Sequence, residues 1–189
     1  VVVGYYKHDN VIEKIRRFAH AADAVNFGRT MKVAMLGNNM RDVAVTDGDR
    51  VESEIRYGWN VNYYGIGDIV DIVNDVTDDE IDAKLGEYSE KYTMTTDNIS
   101  SVREQAKYEL ALEKFIAREN IGAFTDTFQD LHGLKQLPGI AAQNLMAKGI
   151  GFGPEGDYKT AALGAVLFKM AEGRKGATGF MEDYTYDLT

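Results

Sequence analysis

Short apolar segments and amphipathic segments alternate along the first third of the chain, and this order limits the folds that the chain can adopt. Residues 1–4, 31–36 and 59–64 are apolar or alternating segments of strand length. Between them, residues 11–27 carry apolar side chains at helical spacing, and a second helical pattern follows Asp49. A β-α-β-α-β order favours a parallel sheet with helices on its faces. We therefore predict an α/β fold, a three-layer sandwich with a mostly parallel, Rossmann-like or flavodoxin-like sheet.

A helical insertion follows the third predicted strand. The four-residue segments that begin at Thr77 and Ser101 both have the spacing of a capping box, in which a glutamate follows a hydroxyl side chain by three positions. They predict two long helices that start at these residues. The sheet pattern then resumes at residues 121–124 and again at 149–152, and a last helix is predicted over 160–171.

The composition argues against several classes of function. The 189 residues include no cysteine, which excludes disulfides and thiolate metal sites and suits a reducing compartment. The formal net charge is −9 and the basic residues are scattered, which argues against a nucleic acid or an anionic membrane surface as partner. No apolar run approaches the roughly 20 residues that span a bilayer. We expect a cytoplasmic protein with no nucleic-acid or membrane partner.

Two glutamates flank the last predicted helix. Glu155 lies in a glycine-rich turn just before it, and Glu182 lies beyond the following loop, where a short strand is predicted to begin. A helix with a returning loop can bring both flanks to one end of a sheet, where α/β proteins form their sites. Two carboxylates that converge on a pocket suit proton transfer or divalent-metal binding.

The same turn permits a competing interpretation. Residues 151–156 (GFGPEG) match the GxGxxG pattern of dinucleotide-binding loops and precede a helix. However, Glu155 inside the loop and Asp157 beside it would repel a pyrophosphate, and the P-loop spacing is absent. The carboxylate interpretation is therefore preferred, although surface glutamates are common and the residues alone leave both open.

Other candidate residues are less informative. Met40 and Phe128 each follow the carboxyl end of a predicted strand, so they could belong to the core or line a pocket. We expect no functional role for His8 and His20, and a local structural role for His132 in its polar loop.

Five segments of the sequence resemble the L-arabinose isomerase family. They are long and specific blocks, namely GNNMRDVAVTDGD (37–49), EYSEKYTMT (87–95), FTDTFQDLHGLKQLPGIAAQNLM (124–146), GFGPEGDYKTAAL (151–163) and GFMEDYTYDL (179–188). The resemblance implies that residues 1–27 end an N-terminal α/β domain, that residues 28–189 form a central α/β domain, and that the family's C-terminal β-barrel domain is absent. Because both ends of the chain also lie in predicted strands, we expect a part of a longer protein.

The resemblance implies a sugar isomerase, an intramolecular oxidoreductase. Members of this family interconvert L-arabinose and L-ribulose in arabinose catabolism, and often convert D-galactose to D-tagatose. They use Mn²⁺ at a site between domains of an oligomer. We therefore expect an Mn²⁺-dependent homo-oligomer, a tetramer or hexamer, whose partners are these small sugars.

The resemblance also assigns roles to single residues. The family glutamates that match Glu155 and Glu182 bind the metal and act as acid and base. Positions that match Met40 and Phe128 line the sugar pocket, and Asp157 resembles a residue that supports the metal ligands.

This chain departs from the family pattern in one important respect. The family completes its metal site with two histidines that follow the segment around Glu182, and the chain ends before either. We therefore expect weak metal binding and no useful catalysis from this chain alone. The alternative function is a non-catalytic sugar-binding or assembly module, because an α/β domain with a polar crevice can host either role.

Overall fold

A parallel four-stranded sheet is the centre of the computed structural model, which describes residues 1–176 and 178–180. The strands are β1 Lys32–Leu36, β2 Asn60–Tyr64, β3 Ile121–Asp126 and β4 Gly151–Gly153, in the order β2-β1-β3-β4. Within the described residues the helices are α1 Asp9–Gly28, α2 Arg50–Tyr57, α3 Ile66–Asn74, α4 Asp78–Lys91, α5 Ile99–Glu119, α6 Gly139–Ala147 and α7 Tyr158–Ala171. All three strand pairs are parallel, which confirms the predicted sheet.

The alternation of side chains along β1 explains why helices cover both faces. Val33 and Met35 pack with α7 on one face, whereas Ala34 and Leu36 pack with α3, α5 and α6 on the other. Side chains in a strand point alternately to opposite faces, so four consecutive apolar residues require two covering layers. The result is the predicted three-layer sandwich.

Glycines in β4 allow α7 to approach the sheet closely. A Cβ atom at Gly151 would lie 2.0 Å from the carbonyl oxygen of Ala161, and one at Gly153 would lie 2.7 Å from the carbonyl oxygen of Asp157. Neither position has room for a side chain. These contacts fix the start of α7, and therefore the turn that precedes it, against the end of the sheet.

A buried polar network holds α4 and α6 against the long helix α5. The Glu109 carboxylate accepts hydrogen bonds from the Tyr88 hydroxyl at 2.6 Å and the Asn144 amide at 2.7 Å, and lies 3.5 Å from the ammonium of Lys84. Burial alone would lower the pKa of Lys84, but the hydrogen bond to Glu87 and the nearby carboxylates raise it. Hydrogen bonds and an ion pair therefore hold the two helices of the predicted insertion, α4 and α5, together with α6 on the same side of the sheet.

Two sequence predictions about this architecture are wrong. Residues 1–4 form no strand and are exposed, because no described strand pairs with this short apolar run. The capping box that was predicted at Ser101 is not the helix start: α5 begins at Ile99, and Asn98 caps it by accepting a hydrogen bond from the Ser101 backbone N–H at 3.2 Å. Asparagine caps at least as well as serine, so the earlier residue prevails. The capping box at Thr77 is confirmed.

Two predicted boundaries in the last part of the chain shift by two residues. β4 begins at Gly151 rather than at residue 149, because Gly149 takes a left-handed conformation at the end of α6 (φ +88°). The last helix begins at Tyr158 rather than at residue 160, because the Asp157 side chain caps it there.

Helix α1 precedes the sheet and packs along α7. Its residues Ala24 and Gly28 are buried, and a Cβ atom at Gly28 would lie 3.1 Å from the side chain of Val166 in α7. The division at residues 27 and 28 between two domains stays a prediction. Among the described residues, none of the helices combines the length and the apolar character that a bilayer crossing requires.

Candidate functional site

The strand order locates a crevice at the carboxyl ends of the strands. In the order β2-β1-β3-β4, the chain direction around the sheet reverses between β1 and β3. Loops that leave these two neighbouring strands turn to opposite faces, and ligands of open α/β sheets bind in the gap between them. Three loops meet there: one after β1, one after β3, and the short turn after β4 that contains Glu155.

The Glu155 turn is strained and held by main-chain contacts. Glu155 has a positive φ of 64°. Residues other than glycine rarely adopt this backbone conformation, which costs on the order of 1–3 kcal/mol. Its carbonyl oxygen accepts a hydrogen bond from the Met40 N–H at 3.1 Å, and the next N–H, of Gly156, donates to the Asp126 carbonyl at 2.8 Å. The loop after β1 and the end of β3 therefore both fix this turn.

The glycines of the GxGxxG pattern have structural explanations. Gly151 and Gly153 permit the close contact with α7, and Gly156 has a positive φ of 81°. The first turn of α7 is already occupied by Asp157, whose carboxylate accepts from the backbone N–H groups of Lys159 and Thr160 at 3.0 Å each. This carboxylate stands where a pyrophosphate would have to bind. The geometry argues against the dinucleotide interpretation.

Asp157 is therefore the N-terminal cap of α7. Besides the two backbone contacts, its carboxylate accepts a hydrogen bond from the Thr160 hydroxyl at 2.8 Å. The role that the resemblance gives it, support of the metal ligands, stays a prediction.

The two predicted sugar-lining residues lie on loops that are tied together. Met40 is half-buried and follows β1, and Phe128 follows β3 with 41% of its surface exposed. Next to Met40, the Arg41 N–H donates to the Gln129 side chain at 2.8 Å, and the Arg41 guanidinium pairs with Asp130 at 2.9 Å. The structure thus brings Met40 to the Glu155 turn and connects its loop to the loop of Phe128.

Glu182 lies outside the described residues. Among residues 1–176 and 178–180, no group of three Asp, Glu or His side chains could hold a metal ion. Of the two predicted metal ligands, Glu155 lies within the described residues and is half-buried. Its carboxylate is a hard oxygen donor of the kind that Mn²⁺ prefers.

Asp126 is a residue of this site that the sequence reasoning missed. It ends β3, and its buried side chain lines a chamber of about 10 Å³ together with Leu36, Ile69 and Leu134. Its Oδ1 atom finds no hydrogen-bond partner among the described residues, and burial raises the pKa of its carboxyl to about 7. A charged residue type at the end of an otherwise apolar central strand was the available signal.

A much larger cavity lies at the opposite end of the sheet. Its volume is about 700 Å³, and it is lined by residues at the amino ends of the strands, including Lys32, Ile121 and Lys148. It also borders Gly176 and Thr178, beside parts of the chain that the structure does not describe. Because ligands of such sheets bind at the carboxyl ends of the strands, we place the candidate site at the crevice.

The histidines lie away from the Glu155 turn in sequence, and two of them are on the surface. His8 and His132 are exposed, and His20 is half-buried. Their predicted lack of a catalytic role stays a prediction.

Comparison with known proteins identifies relatives over the whole chain. Residues 32–173 match the family model of the L-arabinose isomerase central domain. The L-arabinose isomerase of Thermotoga petrophila is 49% identical over 191 residues, and that of Tolumonas auensis is 50% identical over 195 residues. Each alignment includes 100% of this chain but only 38% and 39% of the relative. The L-arabinose isomerase of Geobacillus stearothermophilus is 48% identical and 39% covered. The chain thus spans well under half the length of these relatives.

Proposed function

This chain belongs to the L-arabinose isomerase family, and we propose that it is the central part of a longer aldose–ketose isomerase that interconverts L-arabinose and L-ribulose. The observation that supports this most strongly is the match to the family's central domain over residues 32–173. The fixed Glu155 turn beside the switch point supports a ligand-binding site at this end of the sheet. By "full-length protein" we mean below the longer chain whose size the relatives indicate.

The finer parts of the proposal rest on the resemblance. They are a second activity on D-galactose that gives D-tagatose, a requirement for Mn²⁺, a homo-oligomeric assembly and a cytoplasmic location. In the same way we propose that this chain by itself is inactive, because further ligands and sugar contacts belong to other parts of the full-length protein.

The reaction requires proton transfer between two neighbouring carbons. The C2 proton of the aldose leaves, a proton is added at C1, and the proton on O2 is lost while O1 gains one, so that a cis-enediol lies between aldose and ketose. We assign the carbon proton to one of the two glutamates, Glu155 and Glu182, and the hydroxyl protons to the other. A carboxylate within reach of both carbons can take the proton from C2 and, after exchange with solvent, deliver one to C1.

The contacts of the Glu155 backbone support this proposed role. Hydrogen bonds on both sides of Glu155 hold its backbone, so its carboxylate is presented from a fixed position rather than from a free loop. Met40 is attached to the same turn, and Phe128 stands on the neighbouring loop, so both can limit the space that a sugar occupies. Glu155 and Glu182 would be the ligands of Mn²⁺ from this chain, and the bound ion would supply Lewis-acid polarisation of the sugar oxygens.

The test is turnover of L-arabinose by the full-length protein in D₂O with Mn²⁺. We expect L-ribulose that carries deuterium at C1, because the glutamate exchanges its proton with solvent. L-Ribulose without deuterium would keep the isomerase but contradict solvent exchange during proton transfer, and would favour a hydride shift or a shielded transfer.

The second candidate is a non-catalytic sugar-binding or assembly module. Failure to form a ketose from any aldopentose or aldohexose would support it. A binding module would also keep its sugar affinity in the presence of a chelator, since a neutral sugar gains little from two carboxylates.

A further inference from the structure

Among the described residues, three hydrogen bonds connect the turn that contains Glu155 to the loop after β1 and the end of β3, and one of them comes from a side chain. Main-chain groups make two: Met40 N–H to the Glu155 carbonyl, and Gly156 N–H to the Asp126 carbonyl. The third is made by the amide nitrogen of Asn39, which donates to the Gly156 carbonyl at 3.0 Å. Because main-chain contacts remain after a substitution, Asn39 is the member of this set that mutation can remove.

The position of Asn39 is itself fixed. Asn39 lies in the loop after β1 and is half-buried. Its amide nitrogen also lies 3.4 Å from the hydroxyl oxygen of Thr46. The Thr46 hydroxyl donates to the Val43 carbonyl at 2.9 Å, and Thr46 is buried. The side chain of Asn39 therefore bridges two segments that are each held in place.

Contact between the two loops is close enough that only glycine fits opposite Asn39. A Cβ atom at Gly156 would lie 2.5 Å from the Asn39 Cα and 3.1 Å from the Asn38 carbonyl oxygen. The loop after β1 thus reaches across the end of β3 and lies directly on the turn that follows β4. The hydrogen bond from Asn39 is made within this contact.

We propose that Asn39 is a positioning residue for Glu155. By holding the Gly156 carbonyl, its amide helps the two main-chain hydrogen bonds to keep Glu155 in its left-handed backbone conformation beside the crevice. Since Asn39 precedes Met40, the same contact fixes the distance between a sugar-lining residue and the acid–base residue. The expected effect on catalysis rests on the proposed function, whereas the effect of Asn39 on the Glu155 turn does not.

The consequence for the active site follows from how steeply catalysis depends on geometry. Loss of a group that orients a metal ligand typically lowers metal affinity or activity by about 10- to 100-fold. Without the Asn39 amide, only the two main-chain hydrogen bonds hold the turn, so the position of Glu155 is less tightly restricted. We therefore expect a lower kcat and a weaker affinity for Mn²⁺, with KM for L-arabinose changed less than kcat.

The test compares Asn39→Ala and Asn39→Asp in the full-length protein with the control Asn74→Ala. Asp keeps the shape of Asn but replaces the donor by an acceptor that faces the Gly156 carbonyl, so it should not rescue function. Asn74 is exposed at the end of α3, far along the chain from the crevice loops. For both Asn39 variants we expect kcat to fall about 10- to 100-fold and the Kd for Mn²⁺ to rise about tenfold. The control should match the unchanged protein.

Hydrogen–deuterium exchange separates this proposal from the proposed function. In the metal-free protein, both Asn39 variants should speed exchange of the Met40 and Gly156 amides by about tenfold and leave amides of β1 and β3 unchanged. If Asn39→Asp has the same kcat, the same affinity for Mn²⁺ and the same amide exchange rates as the unchanged protein, the proposed donor role of Asn39 is wrong. Equal acceleration throughout β1 and β3 would also overturn it, because Asn39 would then stabilise the fold in general. If the unchanged protein isomerises no aldose, the proposed function fails, and the exchange result still decides the positioning role.

Discussion

The two ends of the sheet differ in a way that shows how to recognise the site. The amino end has the larger space, a cavity of about 700 Å³, but it is bordered by residues next to undescribed parts of the chain. At the carboxyl end, the described residues bring together the strained Glu155, the buried Asp126 and the contact between Asn39 and Gly156. Of the three described non-glycine residues with positive φ, two, Asp42 and Glu155, lie in loops at this end. Fixed polar groups, rather than volume, mark the candidate site.

The sharpest test of this comparison is removal of the carboxylate at the carboxyl end. Replacing Glu155 by Gln in the full-length protein should lower kcat by about 10²- to 10⁴-fold, because proton transfer loses its acid–base group. Glutamine has the same size, so the free energy of unfolding without metal should change by less than about 0.5 kcal/mol. A loss below tenfold in steady-state assays would remove Glu155 from catalysis.

Asp126 gives a test that depends on pH rather than on activity. The folded-state pKa, about 7, lies above the usual value of 3.8, so the folded protein holds the proton more tightly than the unfolded chain. Stability should therefore fall as pH rises between these two values and level off above the upper one. Asp126→Asn cannot ionise and should be more stable than the unchanged protein by about 2–4 kcal/mol at pH 8, with little gain at pH 4.

Thermal unfolding of both proteins across this pH range gives the comparison. Other groups titrate equally in the two proteins, so the difference between them isolates Asp126. A difference that does not depend on pH would show that the carboxyl is not buried as described.

Asp157 distinguishes a structural role from a catalytic one. Asp157→Ala removes the cap of α7 and should lower the free energy of unfolding by about 1 kcal/mol, whereas Asp157→Asn caps equally well and should preserve it. Chemical denaturation measures both. If Asp157 also supports the metal ligands, Asp157→Asn should lower kcat although stability is kept, and unchanged kcat would leave the cap as its role.

The smallest effect is expected at the amino end. Lys32 lines the large cavity and lies 4.0 Å from the Glu119 carboxylate, with 34% of its side chain exposed. Lys32→Ala should change the free energy of unfolding by less than about 0.5 kcal/mol. Because the cavity has no part in the proposed reaction, kcat/KM for L-arabinose should stay within about twofold. A tenfold loss of kcat/KM would move the site toward this end.

The sequence was informative where structure depends on neighbours along the chain. The Thr77 capping box and the glycine-rich turn at Glu155 could be predicted, because caps and turns are local. The contact of Asn39 with Gly156 and the chamber around Asp126 could not, since they join residues far apart in sequence that only the strand order brings together. The strand predicted at residues 1–4 is absent for the same reason, because a segment with strand propensity forms a strand only when another strand pairs with it.

Competition between two possible cap residues explains why the predicted start of α5 is wrong. Ser101 and Asn98 both suit a helix start, and only the chain's path decides which side chain meets the free N–H groups. Spacing alone does not resolve such a choice.

The most direct test of the central claim is a crystal structure of the full-length protein with Mn²⁺ and L-arabitol, a sugar alcohol that cannot isomerise. The account predicts the polyol at the crevice, within about 4 Å of Glu155, Met40 and Phe128. L-Arabitol in the cavity beside Lys32 and Lys148, with the Glu155 turn unoccupied, would contradict it.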